Sequence, residues 1–391
     1  MVTDVDLSGF AAGLDALGAD DLRAGGSVKW TAHPEAIGAF VAEMDFGLAP
    51  PIAAALHEAV DAERTGYLPT ALADGLRSAT ADWCADRFGW AIEPAAVQPV
   101  GDVIAAFELM LRYYSDPSAP VIVPTPAYMP FLIVPPMLGR RVIEVPSRET
   151  DGHYALDLGG IAAAFEQGAD VLVLCNPWNP VGRVLTRDEL LAVADVVERH
   201  GGRVFSDEIH APLVFAPHRH VPYASVSEAA ARHSVTALSA SKAFNLPGLK
   251  CAQVVFTNEE DGARFSDVGL FAGHGASGFG VIANTGAYRA GGPWLDAVLD
   301  YLDGNRRRFG ELVAERIPRL RHRPPEGTYI AWLDARGLDL GTAPADRLLE
   351  RAGIALTDGA ACGAPGFLRC ILATPRPVLE QLVDRLATAA G

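Results

Sequence analysis

The sequence lacks several features that would assign it to a class of binding protein. It has 32 Lys and Arg against 48 Asp and Glu, a formal net charge of −16, so it carries no basic surplus. No stretch approaches the ~20 consecutive apolar residues of a membrane-spanning helix, and its first residues lack the basic start of a signal peptide. These absences disfavour nucleic acid and membranes as partners and predict a cytoplasmic protein that binds a small molecule.

Cysteine is scarce and scattered. The five cysteines are an odd number and never form C-x-x-C, which argues against a disulfide framework and against a thiolate zinc site. We expect small, buried thiols at Cys84, Cys175, Cys251, Cys362 and Cys370. The HExxH, P-loop and G-x-S-x-G motifs are also missing. The cluster His218-Arg219-His220 resembles a metal or phosphate site, but no further ligand stands at suitable spacing, so we predict a solvated loop and no metal.

Apolar runs alternate with helix-length segments along most of the chain. The runs are VIV at 121–123, RRVIEV at 140–145, VLVL at 171–174, RVF at 203–205, VTAL at 235–238 and QVVF at 253–256. This alternation predicts an α/β fold with a largely parallel sheet flanked by helices. The last third predicts the order αβαβα in a smaller α/β domain. We therefore expect a large domain over 48–285, and a small domain made of 286–391 with 1–47 packed on it.

Reactive side chains follow four of the predicted strands. They are Tyr128 in PTPAYMPF, Asn179 in CNPWNPVGR, Asp207 and His210 in SDEIH, and Lys242 in LSASKAFNLPGLK. Ligands of open α/β sheets bind beyond the carboxyl ends of the strands, so we expect these groups to converge there.

The residue types at these strand ends suit pyridoxal-5′-phosphate (PLP). This cofactor needs an amine to bind its aldehyde, for which Lys242 is available. It also needs a carboxylate that keeps its ring nitrogen protonated, and Asp207 fits. Its phosphate needs donors and positive charge, which Ser239, Ser241 and Lys250 would supply.

A second phosphate contact is predicted at backbone amides near Asp102, Val103 and Ile104, if VGDVIAAFELMLRYY begins a helix there. A carboxylate beside a phosphate is unfavourable, so Asp102 should point away or cap the helix.

Each of these residues also has a simpler interpretation. Asp207 alone would serve as a helix N-cap, and Asn179 before Pro180 is by itself a turn signal. Tyr128 alone would pack in the core. The cofactor interpretation depends on all of the groups occurring together.

The motifs resemble those of fold-type I PLP enzymes, the class I/II aminotransferase superfamily. More closely they resemble its carbon–sulfur lyase branch, the cystathionine β-lyase-like MalY/PatB group. The resemblance runs from GGSVKW (25–30) and FVAEMDF (40–46) through TGY (65–67) to EGTYIAWLD (326–334) and GFLRCILATPR (366–376), and SDEIH and SKAFNLPGL are its most specific pieces. Most of the superfamily has tyrosine where this chain, like the lyase branch, has His210.

The resemblance implies a role for each matching residue. Lys242 would be the Schiff-base lysine, and Asp207 would pair with the pyridine nitrogen. Asn179 would hydrogen-bond the phenolic oxygen, Tyr128 would stack on the ring, and His210 would neighbour the cofactor without acting as a base.

Two further residues have implied roles. Tyr67 would reach the phosphate of the neighbouring subunit, which implies a homodimer, and Arg369 would clamp the substrate α-carboxylate. An arginine inside an apolar strand is costly unless it meets an anion, which supports the second role independently. The chain departs from the superfamily pattern at Lys250, often an arginine, at Asp102, usually small or apolar, and at Cys362, often an aromatic.

The resemblance implies a PLP-dependent carbon–sulfur β-lyase that converts a cysteine S-conjugate such as cystathionine to thiol, pyruvate and ammonia. The lack of a recognisable second arginine clamp for a dicarboxylate agrees with this. Three alternatives stay open. They are an aminotransferase, a biosynthetic enzyme that eliminates from or decarboxylates an unusual thioether, and a PLP-fold regulatory protein.

Overall fold

The computed structural model describes residues 7–272 and 275–390. The strands are β1 (Ile37–Gly38), β2 (Val97–Val100), β3 (Val121–Thr125), β4 (Val142–Pro146), β5 (Arg148–Thr150), β6 (His153–Ala155), β7 (Val171–Cys175), β8 (Arg203–Asp207), β9 (Ser234–Leu238), β10 (Ala252–Phe256), β11 (Arg321–His322), β12 (Ile330–Asp334), β13 (Ile354–Ala355), β14 (Thr357–Asp358) and β15 (Phe367–Ile371). The helices are α1 (Phe10–Asp15), α2 (Ala19–Ala24), α3 (Val28–Thr31), α4 (Pro50–Asp61), α5 (Thr70–Phe88), α6 (Val103–Tyr113), α7 (Pro130–Met137), α8 (Leu158–Glu166), α9 (Arg187–His200), α10 (Glu228–His233), α11 (Glu259–Ala272), α12 (Gly278–Ala290), α13 (Gly292–Arg316), α14 (Pro344–Ala352) and α15 (Arg376–Ala390).

A seven-stranded sheet forms the centre of the molecule, in the order β2-β10-β9-β8-β7-β3-β4. The five strands from β9 to β4 are parallel, and β10 runs antiparallel to both of its neighbours. Every residue of β3, β7, β9 and β10 is buried, which agrees with their largely apolar sequences. The six predicted strands and the mostly parallel α/β class are confirmed. The short β2 and the reversal of β10 were not predicted.

The helices that flank this sheet carry clear sequence signals at their ends. At the start of α9, Thr186 Oγ1 accepts from the amide of Glu189, and the Glu189 carboxylate accepts from the amide of Thr186. The same helix ends at Gly201, whose φ of 62° is left-handed and favours glycine. Among the described residues, no helix is both long and apolar enough to cross a bilayer.

The last third of the chain forms a second, antiparallel sheet in the order β11-β12-β15-β14. It alternates with α13, α14 and α15, which confirms the predicted αβαβα order. The N-terminal segment joins this part of the chain because β1 pairs with β13, with Ile37 opposite Ile354. The buried Lys29 amine also contacts the Asp45 carboxylate at 2.7 Å and the carbonyl of Ala373 at 3.2 Å. The domain division at 47/48 and 285/286 stays a prediction.

All five cysteines are buried and unbridged, which confirms their predicted state. They lie in different parts of the interior: Cys175 and Cys362 belong to the core around the parallel sheet, and Cys370 to the core of the antiparallel sheet.

Candidate active site

The polar groups that follow the parallel strands converge on one cavity of about 180 Å³. It is lined by Tyr128 after β3, Asn179 after β7, Asp207 and His210 at the end of β8, and Lys242 after β9. The side chains therefore meet at the carboxyl edge of the sheet, as expected for a ligand site in this architecture.

The Lys242 amine donates a 2.9 Å hydrogen bond to the carbonyl oxygen of Ala42. Burial lowers the pKa of Lys242 to about 8, and the positive charge of Arg369 acts in the same direction. The carboxylates of Glu43 and Asp207 oppose this shift. An amine with this pKa is unprotonated in a useful fraction of molecules near neutral pH, so it can act as a nucleophile or a base.

Asp207 ends β8 opposite Cys175 of β7. Its Oδ1 accepts from the amide of Ile209 at 3.1 Å, and its Oδ2 accepts from the Cys175 thiol at 3.5 Å. Burial raises the pKa of Asp207 to about 6. The residues after Asp207 form turns and no helix begins there, so the N-cap alternative is wrong. A buried carboxylate that has two weak donors among the described residues is a good partner for a cationic ligand group.

Arg369 lies on β15 and is 3% exposed. Its Nη1 donates to Asn179 Oδ1 at 3.3 Å and its Nη2 to the carbonyl oxygen of Phe40 at 2.9 Å. Its Nε has no hydrogen-bond partner among the described residues, and burial lowers its pKa. A buried guanidinium held by neutral acceptors favours an incoming carboxylate, which its planar fork can bind through two hydrogen bonds.

His210 and Tyr128 complete the cavity wall. His210 is buried, and its Nδ1 lacks a partner among the described residues. Burial lowers the pKa of His210 to about 3, so the ring is neutral. Tyr128 lines the cavity, as predicted for a residue that stacks on the ring. It also packs against Phe131, with the two ring centroids 5.6 Å apart in an edge-on arrangement, so the alternative of core packing holds as well.

Asp102 caps α6, which is one of the two roles that the sequence predicted for it. Its Oδ1 accepts from the amide of Ala105 at 2.8 Å, and the helix begins at Val103. Its Oδ2 accepts from the Lys250 amine at 2.9 Å, an ion pair that the sequence did not predict. Asp102, Ile104 and Lys250 line the same cavity as Lys242. A helix N-terminus and a cation therefore both border one end of this cavity.

The two predicted serines occupy different places. Ser241 lines the cavity. The Ser239 hydroxyl instead donates to the carbonyl of Cys251 at 2.8 Å and accepts from the amide of Ser241 at 3.0 Å. Ser239 therefore holds the turn that carries Lys242, and its role as a phosphate donor stays a prediction.

Tyr67 lies away from this cavity. It is 93% exposed and borders a separate, open cavity of about 650 Å³, together with Gln98 and Ser277. Its predicted contact with the phosphate of a partner subunit stays a prediction.

The histidine cluster differs in part from its prediction. His218 and Arg219 are exposed, as a solvated loop requires, but His220 is buried. Its Nε2 lies 2.8 Å from a buried carboxylate oxygen of Glu208, which offsets the cost of burying the imidazole. Among the described residues no group of side chains could hold a metal ion.

Residues that the sequence did not reveal also contact the site. The carbonyl oxygen of Ala42 accepts from Lys242 and also from the Tyr329 hydroxyl at 2.9 Å, and Phe40 accepts from Arg369. These acceptors belong to the backbone, so no residue type signals them. The motif FVAEMDF was the only available signal, and it supported the resemblance without a chemical role.

The residues present fit PLP. The cavity collects an amine of lowered pKa, a buried carboxylate and a helix N-terminus beside a lysine, which match the aldehyde, the ring nitrogen and the phosphate. Two of the buried polar atoms that have no partner among the described residues belong to this region: His210 Nδ1, on a residue of the cavity wall, and Arg369 Nε, on the residue that contacts Asn179. Such buried atoms need a partner that a bound ligand can supply.

Proteins of known name share this sequence and fold. The family description "Aminotransferase class I and II" matches residues 41–386. Cystathionine beta-lyase of Corynebacterium glutamicum is 36% identical, over 94% of this chain and 98% of that protein. A structure from Corynebacterium diphtheriae, assigned as a PLP-dependent beta-cystathionase, superimposes with a TM-score of 0.91 at 36% identity, over 97% and 99% of the two chains. Cystalysin of Treponema denticola, solved with PLP, gives a TM-score of 0.88 at 27% identity, over 95% and 97%.

Proposed function

Because the chain belongs to the aminotransferase class I and II family and is similar to PLP-dependent enzymes, we propose that it is a carbon–sulfur β-lyase. Its substrate is a cysteine S-conjugate such as cystathionine or a related thioether, and its products are a thiol, pyruvate and ammonia. The observation that carries this proposal is the buried Arg369, which has no carboxylate partner among the described residues and lies within electrostatic reach of the Lys242 amine. That pair suits an α-amino acid, whose carboxylate and amino group are adjacent.

When bound, PLP withdraws electrons from the substrate α-carbon and so makes the Cα proton acidic. Lys242 removes that proton, since its lowered pKa leaves a useful fraction of the amine unprotonated near neutral pH. Asp207 stabilises positive charge on the ring nitrogen and so increases the electron withdrawal. The developing β-thiolate then leaves.

Arg369 orients the substrate. Its guanidinium binds the α-carboxylate and is itself held by Asn179 and the carbonyl of Phe40, so the carboxylate has one fixed position. His210 stays neutral and adds no positive charge that would draw the carboxylate away from Arg369.

The active unit in this proposal is a homodimer. The 93% exposure of Tyr67 supports an approach by its ring to a second subunit, and the open cavity beside it is large enough to receive part of another chain. Tyr67 would complete the phosphate site of the partner.

An aminotransferase is the second candidate, because the family name covers that reaction and the same residues serve it. The sequence offers no recognisable second arginine clamp for the distal carboxylate of a dicarboxylic substrate, which favours the lyase.

A panel of cysteine thioethers tests the proposal. Purified holoenzyme is incubated with cystathionine, S-alkyl cysteines and S-aryl cysteines, and thiol and keto acid are measured separately. We expect equal amounts of thiol and pyruvate from at least one thioether. Alanine, which has no leaving group, is the matched control and should release neither. Failure of every thioether to release thiol would contradict the lyase proposal.

A further inference from the structure

We propose that Asp102 weakens the hold of the enzyme on the phosphate group of PLP by competing with that phosphate for Lys250. This inference rests on the proposed function and on the predicted phosphate contact at the start of α6, where Asp102, Val103, Ile104 and Lys250 line the cavity. Asp102 carries a negative charge at the start of α6, where a neutral residue would favour the binding of a phosphate.

The position of Lys250 is fixed by its backbone. Its φ of 50° is left-handed, and its carbonyl oxygen accepts from the amide of Ser277 at 2.9 Å. The preceding turn packs closely on α12, since a Cβ on Gly280 would meet the carbonyl oxygen of Leu249 at 2.2 Å. The turn therefore fixes the place beside the cavity where the Lys250 side chain leaves the backbone, and the ion pair with Asp102 directs its 60% exposed side chain.

Asp102 is held equally firmly, through both carboxylate oxygens. Its Oδ1 accepts from the amide of Ala105 and its Oδ2 from Lys250. The residue before it has little freedom, because a Cβ on Gly101 would meet the carbonyl oxygen of Gly275 at 3.0 Å. Turning the carboxylate away from the cavity would break both the cap and the ion pair.

The charges at this end of the cavity therefore balance before any ligand binds. Lys250 supplies one positive charge and Asp102 one negative charge, and the N-terminus of α6 adds a partial positive charge. A phosphate dianion must take Lys250 from Asp102 and then lie beside that carboxylate. Burial acts to raise the pKa of Asp102, but hydrogen bonds from Lys250 and Ala105 outweigh it and lower the pKa, so the carboxylate stays charged.

This competition makes cofactor occupancy responsive to the supply of PLP. An enzyme that binds the phosphate weakly exchanges its cofactor more readily than one with a neutral cap. Water screens part of the repulsion, since the Asp102 side chain is 39% exposed, so we expect a moderate effect.

The variant Asp102→Asn isolates the charge, because an asparagine side-chain oxygen can still cap α6. Apoenzyme is titrated with PLP, and binding is followed by cofactor absorbance. We expect the dissociation constant for PLP to fall by about tenfold in Asp102→Asn. Pyridoxal, which has the same aldehyde and ring but no phosphate, is the matched ligand, and its dissociation constant should not change. Asp102→Ala should also bind PLP more tightly, with a lower melting temperature from the lost cap.

An unchanged or weaker affinity of Asp102→Asn for PLP would overturn the inference, because Asp102 would then support phosphate binding by holding Lys250 in place. An equal gain for pyridoxal would overturn it too, since the effect would not involve the phosphate. If the wild-type protein binds PLP and one of these contradicting results is found, only the inference about Asp102 fails and the proposed function is unaffected. If neither wild type nor variant binds PLP or pyridoxal, the proposed function fails first.

Discussion

Lys242 donates a hydrogen bond to the carbonyl oxygen of Ala42, which lies 2.9 Å away and 200 positions earlier in the chain. The Tyr329 hydroxyl donates to the same oxygen. The N-terminal segment therefore lies across the reactive amine, and Tyr329 can keep it there when Lys242 gives up its hydrogen bond to bind the cofactor. The site thus depends on residues from the beginning, the middle and the end of the chain.

The cofactor should attach to Lys242 alone. The chain has only three lysines, and the other two are paired: Lys29 with Asp45, and Lys250 with Asp102. Borohydride reduction of the holoenzyme followed by peptide mapping should find the pyridoxyl mass on the Lys242 peptide. Because the pKa of Lys242 is about 8, the attachment rate to apoenzyme should level off just above pH 8, whereas an ordinary lysine keeps gaining up to pH ~10.4. Reduction of Lys242→Ala is the control, and an adduct in it would contradict the assignment.

Asp207→Asn should keep much of its cofactor but lose most of its activity. Without the carboxylate, the ring nitrogen loses its proton and withdraws electrons poorly, so kcat should fall ~10²–10³-fold. Glu208→Gln is the matched control, since the Glu208 carboxylate faces Ser206 and His220 and does not line the cavity. A similar loss of kcat in both variants would show that Asp207 has no special role.

Arg369→Lys should mainly weaken substrate binding. Lysine keeps the charge but loses the planar fork, so KM for a thioether should rise ~10–100-fold. Arg183, also buried, pairs with Glu189 and Glu326 and offers a contrast. We expect Arg183→Met to lower the free energy of unfolding, whereas Arg369→Met should not, because it removes a buried charge that has no carboxylate partner among the described residues. An unaltered KM in Arg369→Lys would move the carboxylate site elsewhere.

Subunit mixing should test the predicted role of Tyr67. Tyr67→Ala and Lys242→Ala should each have little activity alone. After subunit exchange, a hybrid dimer in which one site has both residues should regain part of the wild-type activity. Exchange is verified by mass spectrometry of the hybrid. Proven exchange without any regain would mean that Tyr67 acts within its own subunit.

The sequence predicted the parts of the fold and site that depend on side-chain type. Apolar runs identified the buried strands, and the groups at their ends, such as Asn179 and Asp207, share one cavity. It did not predict contacts that join distant parts of the chain, such as the ion pair between Asp102 and Lys250, 148 positions apart. It also missed the burial of His220, because nothing in the SDEIH motif indicates that the Glu208 carboxylate contacts that imidazole.

The most direct test of the account is turnover of a cysteine thioether without any keto acid. Holoenzyme at low concentration is given excess thioether, and thiol, pyruvate and ammonia are followed over time. A lyase regenerates its starting form in each cycle, so we predict the three products in equal amounts, over many turnovers, with no gain from added keto acid. A single turnover that stops, and resumes only when a keto acid is supplied, would contradict the account and identify the enzyme as an aminotransferase.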